Sequence, residues 1–115
     1  DSGLTLLCTP GIDLIAVTGQ VAAGATLVLF STGLGTPTGN AIAPVIKIAS
    51  NSAVATRLPD MIDFDCGPVI AGASPEDNAS DLIDMMIEVA SGRLPTRADQ
   101  LQQHDFLFWK RSLDL

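Results

Sequence analysis

The sequence is short of positive charge. Six Lys and Arg residues stand against 13 Asp and Glu, a formal net charge of −7. No basic patch exists to displace the counterions of a nucleic acid, which argues against a nucleic-acid partner. Long apolar runs are missing too. All are broken by Gly, Thr or Pro before the ~18 residues that span a bilayer, so no membrane partner is expected. Only two cysteines occur, Cys8 and Cys66, too few for a disulfide framework and not at zinc spacing. Two free thiols fit a cytoplasmic setting. The single histidine, His104 beside Asp105, reads as a surface residue rather than a general base. The chain opens at Asp1, and no signal peptide is visible.

What is present is apolar. Hydrophobic residues make up 47% of the 115, enough for one packed domain. A mean hydropathy of +0.37 excludes a disordered chain. The acids are uneven: eight fall between Asp60 and Glu88 with no Lys or Arg among them, whereas the first 46 residues carry only Asp1 and Asp13. A near-neutral, Gly-rich first part suits a surface that something else covers. The expectation is that residues 1–115 form one domain of a longer protein.

Strand-like and helix-like segments alternate, which predicts an α/β fold: a Rossmann-like, mainly parallel sheet with flanking helices. Strands are expected at 4–8, 26–31, 45–50, 62–64 and 106–112. The run Leu27-Val28-Leu29-Phe30 suits a parallel strand covered on both faces. A first helix is expected over 12–23, with Thr9 as cap and Pro10 at its first position. It is apolar nearly all round and so buried on more than one face. Gly19 inside it implies a close backbone contact, and Gly24 is the stop. Asn51-Ser52 caps a short helix. The clearest helix covers 75–91, capped by Ser74 with Pro75 first, and carries an apolar stripe of Ala79, Leu82, Ile83, Met86, Ile87 and Ala90. Thr96 caps a short helix over 97–103.

The strongest local signal is the loop Ser31-Thr32-Gly33-Leu34-Gly35-Thr36-Pro37-Thr38-Gly39-Asn40. It follows a buried strand, at the carboxyl end of the sheet, where open α/β sheets bind ligands. Gly33, Gly35 and Gly39 can turn backbone N–H groups toward an anion, while Thr32, Thr36 and Asn40 can bond hydroxyls. A carboxylate or sugar-acid ligand fits; so does a tight connection that merely needs glycine. A dinucleotide site does not, because the glycine spacing is wrong and Pro44 with a strand follows. Lys47 lies inside the apolar run Val45-Ile46-Lys47-Ile48, where it pairs with a carboxylate, reaches an edge or faces a ligand. Asp63 and Asp65 share one face of an extended segment, as metal ligands or acid and base, or else as turn-forming carboxylates.

Together these segments resemble the carboxyl-terminal domain of the altronate dehydratase and galactarate dehydratase family. The residues that carry the likeness are 29–40, Pro44-Val45-Ile46-Lys47-Ile48-Ala49-Ser50-Asn51 and Ile62-Asp63-Phe64-Asp65-Cys66-Gly67. Val17-Thr18-Gly19, Ala22-Ala23-Gly24-Ala25, Asp105-Phe106 and Trp109-Lys110-Arg111 add to it. The 62–67 segment is closer to the altronate branch. One departure stands out: many members carry Arg where this chain has Leu34.

The resemblance implies a hydro-lyase that converts a sugar acid, altronate first and galactarate next, to a 2-keto-3-deoxy acid. It implies iron(II) or manganese(II), held mainly by segments outside this chain, and amino-terminal domains as partners. Such chemistry needs a base for the proton α to the carboxylate, a cation for the resulting charge and an acid for the leaving hydroxyl. In this chain the expected catalytic residues are Lys47 and Asp63, with Asp63 and Asp65 toward the metal. Thr32, Gly33, Gly35, Thr36, Gly39 and Asn40 are expected to bind substrate. Alternatives are a non-catalytic anion-binding module or a dimerisation domain that forms a homodimer.

Overall fold

The computed structural model describes residues 3–108. Three parallel strands form its sheet, in the order β1 (Val28–Thr32), β2 (Val45–Ala49), β3 (Phe64–Asp65). Five helices accompany them among the described residues: α1 (Asp13–Ala22), α2 (Ser52–Arg57), α3 (Gly67–Ile70), α4 (Pro75–Ala90) and α5 (Arg97–Gln100). The parallel α/β reading holds.

The strand covered on both faces is β2, not β1. Every residue of β2 is buried, whereas Leu29 in β1 is 43% exposed. The reason is position: β2 pairs on both sides, and β1 lies at an edge. Side chains alternate along β2. Val45 packs with Val17 of α1 and Val28, while Ile46 and Ile48 pack with Val89, Leu82, Met85 and Met86 of α4. At its end, Ala49 joins Val54 and Ile62.

Two expected strands do not form. Residues 4–8 have no ladder partner, and Leu4 and Leu6 are 92% and 89% exposed. Residues 106–108 are irregular, and the rest of the 106–112 segment lies outside the described residues. The third strand falls slightly later than its apolar run, because register with Ile48 and Ala49 selects Phe64 and Asp65. The Gly67-Pro68 turn opens into the short α3.

Helix α1 begins later than expected. Ile12 is its N-cap and offers no side-chain bond. Thr9 instead lays its methyl on Gly19, where a Cβ would stand 3.0 Å from it; the close contact expected at Gly19 is made by a side chain. Ile15 and Val17, on nearly opposite sides of α1, are both buried. Gly24, at φ +105°, ends the helix. Helix α4 starts as read, with Ser74 Oγ accepting from the Asp77 N–H. Its inner face differs: Leu82, Met85, Met86 and Val89 pack on the sheet, and Ala79, Ile83, Ile87 and Ala90 face outward. Helix α5 stops at Gln100, with a reciprocal cap between Thr96 and Asp99.

Candidate functional site

Because β1 and β2 are parallel, residues 33–44 must return from the carboxyl end of the sheet to its amino end. They do so without a helix. This splits the expected loop into two unlike parts. The turn at 33–35 stands at the carboxyl end, and 36–40 is buried within the fold except for Pro37.

In the first part the amides face inward. Thr32 Oγ1 accepts from the Gly35 N–H at 2.9 Å and from the Leu34 N–H at 3.4 Å. Gly35 takes φ +97°, and a Cβ there would strike Leu58. The carbonyls face two side chains from the segment after β2. Asn51 Nδ2 donates to Gly33 O at 3.3 Å, and Arg57 Nη2 donates to Leu34 O at 3.1 Å. Leu34 itself is 81% exposed.

The second part is sealed. Thr36 and Thr38 are buried and their hydroxyls bond each other at 2.8 Å. Asn40 Oδ1 accepts from the N–H groups of Ile42 (2.9 Å) and Ala43 (3.4 Å). Gly39 lies against the backbone of Gln103, and a Cβ would run into the Gln103 carbonyl and come within 2.7 Å of Ala98 Cβ. Thus Thr32, Gly33 and Gly35 remain at the mouth, while Thr36 and Asn40 are buried and Gly39 lies against Ala98 and Gln103.

Lys47 is below this crossing. It is only 1% exposed, with Nζ 3.4 Å from Thr38 O. Burial lowers its pKa, against the pull of the Asp63 and then the Asp99 carboxylates. Asp63 serves the backbone: Oδ2 accepts from the Lys47 N–H and Oδ1 from the Arg97 N–H, both at 2.7 Å. It therefore ties β2 to the start of α5. Asp65 Oδ1 accepts from the Gly67 N–H at 2.8 Å, and its carbonyl accepts from Asn78 Nδ2. Each carboxylate is drawn to its own backbone donors. Among the described residues no three His, Cys, Asp or Glu side chains stand together as a metal site. By themselves Asp63 and Asp65 are too few for an iron or manganese centre, while an oxygen that accepts a backbone N–H keeps a lone pair for a metal completed from outside this domain. Burial, then Asp65, raises the Cys66 thiol pKa. His104 is exposed beside a cavity of about 320 Å³ that Asn40, Pro44, Leu94 and Asp99 also line.

Residues 1–113 match the carboxyl-terminal D-galactarate/altronate dehydratase family. The chain belongs to that family. It is 43% identical over 91 residues to altronate dehydratase of Escherichia coli (strain K12), which covers 79% of the chain and 18% of the relative. It is 45% identical over 93 residues to altronate dehydratase of Bacillus subtilis (strain 168), covering 80% and 18%. Galactarate dehydratase (L-threo-forming) of Escherichia coli (strain K12) is 38% identical over 106 residues, covering 91% and 20%. The chain spans about a fifth of the length of these relatives. No helix among the described residues is long and apolar enough to cross a membrane.

Sequence reasoning missed Arg57 altogether and read Asn51 only as a cap. The cap is real, since Asn51 Oδ1 accepts from the Val54 N–H at 3.0 Å. The available signal was their place just after β2, where side chains can reach the carboxyl end of the sheet.

Proposed function

We propose that this chain is the carboxyl-terminal domain of a longer, cytoplasmic hydro-lyase that removes water from a sugar acid, altronate first and galactarate next. The product is a 2-keto-3-deoxy acid. What carries the reading is similarity to two altronate dehydratases and a galactarate dehydratase along most of the chain. The domain is inactive alone in this reading. The α-proton base and the centre that carries the developing charge come from amino-terminal domains of the same protein.

This domain's part is to present the mouth of the 33–35 turn. Thr32 fixes that turn from within, and Asn51 and Arg57 hold its carbonyls from outside. Lys47 and Asp63 act as positioning residues. Asp63 joins two backbone segments, and Lys47 supports the crossing at Thr38. The test is dehydration of altronate by the full-length protein with iron(II), followed as 2-keto-3-deoxy acid. Turnover of altronate ahead of galactarate is expected. A folded, metal-loaded protein that dehydrates neither acid sinks the proposal.

A further inference from the structure

Several of the groups in the 31–40 loop first expected to bind a ligand are already bonded within the loop. The Leu34 and Gly35 amides are spent on Thr32 Oγ1, the Asn40 oxygen on two amides, and the Thr36 and Thr38 hydroxyls on each other. Lys47 is sealed beneath the crossing. A carboxylate arriving at the carboxyl end of the sheet still needs a cation to offset its desolvation.

The described residues offer few. Arg93 is committed to Glu88 at 2.8 Å. Arg97 leans on Gln100, at the start of α5. Arg57 is exposed, lies at the 33–35 turn and has no carboxylate within ion-pair distance among the described residues. One of its five N–H donors goes to Leu34 O, which orients the guanidinium and leaves others for a planar, two-oxygen anion.

We propose that Arg57 is the residue of this domain that binds the carboxylate of the sugar acid, at the mouth of the 33–35 turn. This rests on the dehydratase reading above. The Leu34 carbonyl holds the guanidinium in place before substrate arrives, so less freedom is lost on binding.

Two experiments on the full-length protein test it. Steady-state kinetics with altronate compare wild type with Arg57→Met, Arg57→Lys and, as control, Arg93→Met. Arg57→Met should raise KM about tenfold or more while kcat stays within about threefold, as expected for loss of a charged hydrogen bond made equally in ground and transition states. Arg57→Lys should fall between, and Arg93→Met should match wild type. An unchanged KM in Arg57→Met overturns the proposal, as does a fall in kcat and thermal midpoint at constant KM, which makes Arg57 a clamp on the turn.

The second experiment uses wild-type protein, so it stands even where a variant fails to fold. Butane-2,3-dione labels exposed arginines, and peptide mapping reads each site. Altronate should protect Arg57 but not Arg93, and the corresponding alditol, which lacks the carboxylate, should protect neither. Labelling of Arg57 that altronate leaves unchanged overturns the proposal. Absence of wild-type turnover counts against the dehydratase reading, and the protection assay still decides whether Arg57 takes the carboxylate.

Discussion

At the scale of single residues, Gly39 and Asp63 bear the tightest constraints. A methyl at Gly39 meets backbone rather than a flexible side chain. Gly39→Ala should cost about 2 kcal/mol, in the range of overpacked sites, whereas Gly11→Ala, with open space around it, should be near neutral. Urea unfolding midpoints of the two variants check this. Asp63→Asn replaces one of two accepting oxygens by an N–H₂ group facing a backbone donor. It should cost about 1–3 kcal/mol, and a wild-type midpoint would mean that one of the two 2.7 Å bonds contributes little. Lys47 gives a pH signature. Its folded pKa lies below its ordinary value, so between the two the unfolded chain binds more protons and stability rises with pH. Below the folded pKa the buried ammonium costs its full amount. Lys47→Met should therefore lack the alkaline rise, and its midpoint relative to wild type should fall from pH 7 toward pH 10. A constant difference across that range would mean the ammonium is not strained by burial.

At the scale of elements, local signals were read more reliably than faces. The caps at Ser74, Asn51 and Thr96 were legible because each depends on a side chain and an amide three residues on. Which stripe of α4 meets the sheet was not. Leu82 and Met86 belong to both candidate stripes, and only packing against Ile46 and Ile48 decides between Met85-Val89 and Ile83-Ile87. The same applies to residues 4–8 and 106–108, apolar enough for strands but without a ladder. Truncation distinguishes the α4 faces. Leu82→Ala should lose about 2 kcal/mol and Ile83→Ala well under about 1 kcal/mol by thermal or urea unfolding. Equal losses would place both side chains against the rest of the protein.

At the scale of the molecule, the order of motifs revealed the family and the parallel sheet, but not the inner surface of the site. Glycines at 33, 35 and 39 suggest one cradle in sequence, yet the absence of a helix between β1 and β2 drags Gly39 away from Gly33 and under the later chain. Such a separation depends on contacts between residues some 60 positions apart, such as Gly39 with Gln103, and no local pattern encodes them. Of the exposed apolar side chains, Leu4, Leu6 and Ile42 lie in the near-neutral first part of the chain, and Phe106 and Phe108 share a cavity with Ile42 and with Thr18 and Val21 of α1. They are what the high hydropathy bought that the small sheet does not use.

The cover over the crossing also bears on local opening. Residues 98–103 close over Gly39 near the end of the described chain, so this cover is expected to open more readily than the doubly paired strand β2. Hydrogen exchange should show the amides of Gly39 and Gln103 opening together, ahead of those in β2. If β2 opens at the same rate, closure and sheet formation are a single event.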